Sequence, residues 1–189
     1  MKDLSNKVAI ITGSSSGVGA ATARLFASLG CHVVVNYNAN SAGAEQVAKE
    51  CEELGVETVC FGGSVANDTD CVAMVKAAMD KWGRVDILVN NAGTTKFVDH
   101  NNLDGLDAED FQRIYGVNVI GCYQMTRAAR AAMEANDEGG AVVNIASTAA
   151  VTGIGSSIAY AASKGAMVTM TLSLARVLGP KIRMNAVCP

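Results

Sequence analysis

Three observations on the 189-residue chain predict an α/β fold, a doubly wound parallel sheet with helices on both faces. Short runs rich in β-branched residues alternate with helix-prone segments along the whole sequence. These runs are apolar at consecutive positions, so both faces of each strand need cover, which a parallel sheet between helices provides. A glycine-rich turn joins the first run to the first helix, the order a phosphate cradle needs.

The first strand is Val8 to Ile11, and Thr12-Gly13-Ser14-Ser15-Ser16-Gly17-Val18-Gly19 leads from it into the helix-prone AATARLFASLG. Gly13 supplies backbone angles closed to other residues, Gly17 lets the main chain approach a pyrophosphate, and Gly19 lets the helix pack close to the strand. The helix start offers unpaired N–H groups and the positive end of the helix dipole. Its spacing is G-x-x-x-G-x-G, and alone it fits a plain tight βα turn as well as a nucleotide site. CHVVVN is the second strand, followed by a helix over Ser41 to Leu54 with Ala44, Val47, Ala48, Cys51 and Leu54 on one face. ETVCF is the third strand, and Asp68 to Trp82 forms the next helix. Asp86 to Val89 is the fourth strand, ending in Asn90-Asn91-Ala92-Gly93. One long helix is expected from Ala108 to Ala135, then a strand from Ala141 to Ile145, a helix carrying Tyr160 to about Leu178, and a last strand from Arg183 to Val187. The irregular segment from Thr94 to Asp107 follows a strand's carboxyl end and should border the site.

Composition narrows the function classes. At 19.5 kDa, with neither linker nor repeat, residues 1–189 read as a single dinucleotide-binding domain. A net charge of −3 with scattered Lys and Arg offers no basic patch for nucleic acid. Six cysteines without C-x-x-C or metal-ligand spacing read as reduced core residues of a cytoplasmic protein, and no metal is expected. The N-terminus lacks a secretory h-region. Residues 139–163 carry no formal charge, but Gly, Ser, Thr and Asn144 dilute the run too much for a membrane span. His32 and His100 read as structural, the acidic residues around Asp107 as a solvated helix cap, and Trp82 as core.

The chemistry concentrates in VVNIASTAAVTGIGSSIAYAASK. Ser147 should lie just past the carboxyl end of a strand, where ligands of open α/β sheets bind. Tyr160 and Lys164 are four residues apart, so a helix stacks them on one face. A neighbouring ammonium favours the phenolate, and such a pair can run acid/base chemistry near neutral pH. Asn118 sits in an otherwise apolar helical pattern, where a buried amide must find partners.

Taken together, these motifs resemble the short-chain dehydrogenase/reductase family over the entire chain. Thr12-Gly13-x-x-x-Gly17-x-Gly19 is similar to its cofactor turn, Asn90-Asn91-Ala92-Gly93 to its sheet-stabilising motif, and Asn118, Ser147, Tyr160 and Lys164 to its catalytic tetrad. Asn185 to Pro189 resembles the start of the motif after the sixth strand. The resemblance implies a Rossmann-type sheet and an NAD(P)-dependent oxidoreductase interconverting a carbonyl and a secondary alcohol. Tyr160 exchanges the proton, Ser147 holds the substrate oxygen, Lys164 holds the nicotinamide ribose and lowers the Tyr160 pKa, and Asn118 holds a water linking Lys164 to solvent. The implied cofactor contacts are Gly13, Ser15, Ser16, Gly17, Val18, Gly19, Asn36, Tyr37, Asn38, Ser64, Val65, Asn91, Ala92, Gly93, Tyr160, Lys164 and Pro189.

Two departures from the family pattern stand out. Ser64-Val65 replaces a frequent Asp-Val at the adenine, and the chain stops inside a motif that the family continues into a substrate lid and a seventh strand, so the C-terminal part is expected to be missing. Tyr37 stands where NAD-preferring relatives carry an acidic residue. NADP(H) is therefore the preferred cofactor, with Asn36, Asn38 and Ser41 as hydrogen-bond donors to its 2′-phosphate, and NAD(H) is the alternative. Few charges between Ser157 and Leu178, with the resemblance, imply homodimers or homotetramers formed through the helices of Asn118 and Tyr160. Similarity of the first 60 residues to bacterial 3-oxoacyl-carrier-protein reductases makes a ketoacyl thioester one candidate substrate. The competing function is a dinucleotide-binding regulator or inactive scaffold.

Overall fold

Along the first strand, β1 (Val8–Ile11), successive side chains leave opposite faces, and this sorts the core into two layers. A computed structural model describes residues 3–189. Its other strands are β2 (His32–Tyr37), β3 (Thr58–Gly62), β4 (Ile87–Asn90), β5 (Gly140–Ile145) and β6 (Ile182–Val187). All pairs are parallel, in the order β3-β2-β1-β4-β5-β6. The helices are α1 (Gly17–Ser28), α2 (Ser41–Glu53), α3 (Asp68–Trp82), α4 (Ala108–Tyr115), α5 (Cys122–Ala135), the short α6 (Ala149–Thr152) and α7 (Ile158–Leu178).

On one face Val8, Ile10, Val34, Leu88 and Val142 pack with Met74 of α3, Met125 and Met133 of α5, and Leu178 of α7. On the other, Ala9, Ile11, Val33, Val35 and Val89 meet Ala23 and Ala27 of α1 and Ala44 and Val47 of α2. Each fully buried aliphatic side chain contributes about 1.5–3 kcal/mol by leaving water, so burial on both faces holds these short strands in place. Cys31 and Cys122 are pushed up to about 12, and Cys51 and Cys71 to about 11, chiefly by burial, which keeps these thiols protonated. Cys60 and Cys188 lie instead at the surface.

The strands follow the predicted order, with differences of a residue or two at their ends. The long helix expected from Ala108 to Ala135 is helical throughout, but not α-helical throughout: between α4 and α5 runs a π-helical segment, Gly116–Gly121. Gly121 passes so close to β3's exit that an added Cβ would stand 2.6 Å from Val65 Cγ2, while three residues earlier Asn118 turns fully inward. The widened turn accommodates both demands. Asp110 is likewise no solvated cap: it completes a capping box with Asp107, is buried, and pairs with Lys96 at 2.5 Å and Arg113 at 3.2 Å. Lys96 is the main cause holding its carboxyl below the usual carboxylate range. Trp82 is half-buried, touches the core, and stacks on His32 with ring centroids 5.6 Å apart. The nitrogen His32 Nδ1 accepts a 3.0 Å hydrogen bond from the Glu57 N–H, so His32 serves the frame.

The loops leaving β1 and β4 are tied together by one hydroxyl. Thr12 Oγ1 accepts from the N–H groups of Asn91 and Ala92, both at 3.0 Å, and Asn91 Nδ2 donates to the carbonyls of Thr12 at 2.9 Å and Gly13 at 3.1 Å. Thr12→Val keeps the side-chain shape and leaves the Ala92 N–H without an acceptor, while the Asn91 N–H retains only the Val89 carbonyl at 3.1 Å. It should lower stability in urea unfolding by about 1–3 kcal/mol, and a loss under about 0.5 kcal/mol would show that the tie is replaceable.

Candidate active site

Strand order reverses between β1 and β4, so the chain leaves their carboxyl ends in diverging directions and opens a crevice. A cleft of about 600 Å³ fills it. Gly13, Ser15 and Ser16 line it from the β1 turn, Asn36 and Asn38 from β2, Ser64 and Val65 from β3, and Asn91, Ala92 and Gly93 from β4. Thr94, the start of the segment expected to border the site, lines it too, and Ala39, Asn40, Gly63, Arg113 and Val117, which sequence reasoning missed, complete the wall. Arg113 and Val117 lie one helical turn apart and precede Asn118, a spacing that gave a usable signal. Arg113 is the only charged residue of the lining.

The cleft's first wall fits an anionic dinucleotide. Gly13 has φ +63°, and a Cβ there would stand 2.9 Å from Ala92 Cα. At Gly19 a Cβ would meet Asn91 Nδ2 at 2.5 Å and Gly13 O at 2.6 Å, so only glycine lets α1 start this close to the β4 loop. Ser16 is the N-cap of α1 and its side chain does not cap, which leaves the first-turn N–H groups to an outside acceptor. Gly17, Val18 and Gly19 belong to this helix start but do not line the cleft.

Asn36 lines the cleft but cannot donate to a 2′-phosphate as expected. Its Oδ1 accepts from Gly13 N at 2.9 Å, and its Nδ2 donates to the carbonyls of Gly63 at 3.0 Å, Phe61 at 3.2 Å and Tyr37 at 3.3 Å. A buried amide with every group satisfied in this way braces β1, β2 and β3 together. Tyr37 turns from the cleft with its ring over Gly62, and Ser41 opens α2 outside the lining. Asn38 remains, beside Asn40, whose Oδ1 accepts from Gly43 N at 3.0 Å and caps α2.

Ser147, Tyr160, Lys164 and Asn118 stand outside the cleft lining, and Lys164 and Asn118 meet it at its β4 end. A Cβ on Gly93 would stand 3.4 Å from Asn118 Oδ1 and 3.7 Å from Lys164 Nζ, so both groups converge behind this wall. Asn118 Oδ1 accepts from Thr94 N at 2.8 Å, and its Nδ2 donates to Thr94 O at 3.0 Å and to Ser163 Oγ at 2.9 Å. Both amide protons are thereby engaged, and a water could be held by this side chain only at the second lone pair of Oδ1. Ser163 Oγ in turn donates to Tyr160 O at 2.7 Å, so Asn118 ties the β4 loop to α7.

Tyr160 is half-buried on the first turn of α7, which Ser157 caps by accepting from Tyr160 N at 3.3 Å. Gly155 presses on its ring, since a Cβ there would lie 3.3 Å from Tyr160 Cδ1. Ser147 is half-buried after β5, its Oγ accepting from Ala149 N at 3.2 Å and its hydroxyl proton left to point elsewhere. Pro189 reaches the same loop, accepting from Thr148 N at 2.8 Å.

Lys164 is 3 % exposed and no carboxylate pairs with it among the described residues. Its Nζ donates to Ile145 O at 2.6 Å and lies 5.6 Å from the centroid of the Tyr160 ring. Burial lowers its pKa to about 8, against weaker opposing effects of Cys122 and Cys188. An ammonium so placed favours negative charge developing beside it in the same pocket.

A sequence profile of the short chain dehydrogenase family matches residues 7–189. The chain belongs to the short-chain dehydrogenase family. It is 34 % identical over 190 residues to the 3-oxoacyl-[acyl-carrier-protein] reductase of Synechocystis, a match covering 100 % of this chain and 75 % of the relative. A crystal structure assigned to the short-chain dehydrogenase/reductase group from Burkholderia xenovorans superimposes with a TM-score of 0.94 at 46 % identity, covering 97 % of this chain and 76 % of that one. NAD+-bound xylitol dehydrogenase gives 0.92 at 30 %, covering 100 % and 71 %. This member of the short-chain dehydrogenases is thus an oxidoreductase of a family that binds a nicotinamide dinucleotide and acts on small molecules. No helix among its described residues is long and apolar enough to cross a membrane.

The depressed lysine has a consequence for stability. A folded pKa of about 8 against an ordinary 10.5 means that the unfolded chain binds more protons between these values, so stability rises with pH there. Below about 8 the folded state carries the whole desolvation penalty, roughly 3 kcal/mol from the shift itself. Lys164→Met should therefore raise the thermal midpoint at pH 7 by several degrees, with the gain fading toward pH 10.5. Calorimetry showing a lower midpoint at pH 7 would contradict this burial cost.

Proposed function

We propose that the chain interconverts a carbonyl and a secondary alcohol, with Tyr160 exchanging the proton and Ser147, Lys164 and Asn118 completing the catalytic set. The observation that carries this reading is Lys164, an unpaired ammonium buried at 3 % exposure beside a half-buried phenol. Burying such a charge is costly, and it faces the one side chain whose proton chemistry gains from it. When bound, the dinucleotide supplies or takes hydride at nicotinamide C4. The Ser147 hydroxyl, past the end of β5, orients the substrate oxygen. The Tyr160 phenol gives that oxygen its proton or removes it. The Lys164 ammonium stabilises charge on the phenol oxygen as the proton moves, while Asn118 fixes the distance between the β4 loop and α7.

NADP(H) is the preferred dinucleotide in this reading. No carboxylate lines the cleft to repel a 2′-phosphate, Asn38 and Asn40 lie beside the start of α2, and Arg113 adds the lining's one positive charge. Asn36 is withdrawn from the set of phosphate donors, as its amide is engaged by the backbone. A ketoacyl thioester is a candidate substrate, supported by the name of the Synechocystis relative. Free thiols throughout the described residues suit a reducing compartment such as the cytoplasm. A homodimer or homotetramer is supported by Leu172 and Val177 on α7, at 58 % and 72 % exposure, and by Ile120 and Tyr123 before and on α5, at 52 % and 45 %.

Tyr160→Phe should lose at least about two orders of magnitude in carbonyl turnover while still binding NADPH more tightly than NADH in fluorescence titration. Near-normal turnover would remove the mechanism, and tighter NADH binding would reverse the cofactor preference. Sedimentation at micromolar concentration should show a dimer or tetramer of the folded protein, and a monomer would count against the association.

A further inference from the structure

Behind the catalytic pair lies a second polar chain, fully buried and unused by the chemistry proposed above. Asn90 and Asn144 face each other in register across β4 and β5, at 3 % and 0 % exposure. Asn90 Nδ2 donates to Asn144 Oδ1 at 2.9 Å, and the Cys122 thiol of α5 donates to the same oxygen at 3.2 Å. From its other end, Asn144 Nδ2 donates to Thr171 Oγ1 at 2.8 Å, and Thr171 passes its own proton to Met167 O at 2.8 Å. One amide thus joins two strands and two helices.

We infer that Asn144 is a positioning residue, setting the height of α7 on β5 through Thr171 and thereby the meeting of Lys164 with the Ile145 carbonyl. Burial alone does not specify that height. Besides Met167 and Leu178, α7 buries the short side chains Ala159, Ala161, Ser163 and Thr171, and such shallow side chains interlock weakly. Directional hydrogen bonds must choose the register, because a slip strands buried donors without acceptors. Two such grips flank the lysine. Asn118 holds Ser163, one residue before it, and Asn144 holds Thr171, two turns after it on the same face. The strand residue that accepts from Lys164 Nζ at 2.6 Å is Asn144's immediate neighbour, and Ser147 follows three residues after Asn144. A shift of α7 therefore changes the lysine's seat and the tyrosine's position together.

This inference rests on the proposed roles of Tyr160 and Lys164. Thr171→Val keeps the branched shape but removes the hydroxyl, and Thr171→Ser keeps the hydroxyl but drops a methyl group. Measured on the full chain, Thr171→Val should lower kcat about tenfold, keep the dinucleotide Kd within about threefold, and displace the pH–rate limb by about half a unit or more. Thr171→Ser should restore the limb and most of kcat. Loss of thermal stability alone, with wild-type kcat per dinucleotide-binding site and an unmoved limb, would overturn the inference, as would Thr171→Ser failing alongside Thr171→Val. If Thr171→Val does not fold, Cys122→Ala, which removes one donor to Asn144, must move the limb in a folded protein or the inference falls. Failure of the underlying reading looks different: the wild-type chain would turn over no carbonyl, or Tyr160→Phe would stay active.

Discussion

The hydroxyl of Thr12 closes the one place where a parallel sheet of this order comes apart. Between β1 and β4 the winding changes direction, and two loops must leave adjacent strand ends on diverging courses. Their backbone N–H and C=O groups lose the ladder there and need other partners. Thr12 and Asn91 supply them, joining the glycine turn to the β4 loop with hydrogen bonds of 2.9–3.1 Å. Everything downstream uses that junction. The cleft opens above it, α1 begins beside it with uncapped N–H groups, and the Asn90-to-Gly93 stretch carries the wall behind which Asn118 and Lys164 converge.

A second constraint follows from placing a charge in that interior. Lys164 has no carboxylate partner, and a single carbonyl at 2.6 Å compensates only part of the hydration it lost. The surrounding frame must be stiff enough to prevent the side chain from relaxing into solvent. Polar side chains with nearly complete hydrogen bonding provide that stiffness: Asn118 with Ser163 on one side, and Asn144 with Thr171 on the other. Asn90 Oδ1 is the one buried side-chain oxygen or nitrogen in the described residues left without a partner, and it sits in this same network. The least satisfied part of the interior is thus next to the part with the strictest positional demands.

Conversely, the loop after β4 and the segment before α7 are held by polar contacts rather than by apolar packing. Asp110 with Lys96 and Arg113 anchors the loop after β4 to α4, and Val98 N and Thr95 Oγ1 bind it to Ser156. That loop and the segment before α7 expose Phe97, Leu103, Val151 and Ile154 at 86 %, 73 %, 78 % and 76 %. Backbone and polar contacts hold these segments in shape while their apolar side chains stay outside the core.

Local sequence determined the elements and their order, because each strand's apolar run, each helical period and the glycine turn are properties of neighbouring residues. Val8 to Ile11, the helix of Asp68 to Trp82 and the four-residue spacing of Tyr160 and Lys164 were all legible, and the family motifs lay on them in sequence order. Only the tertiary structure decided how polar side chains were used. Asn36 looked like a phosphate donor until the carbonyls of Phe61 and Gly63 took its protons, and Asp110 looked solvated until Lys96 reached it. The helix from Ala108 to Ala135 was legible in its bounds but not in its widened turn, for the same reason: at Gly116–Gly121 it meets Val65 and Thr94, which are distant in the chain. A hydrogen bond depends on a partner brought near by the whole fold, whereas periodicity is written within one turn or one pleat, and that difference in range separates what was legible from what was not.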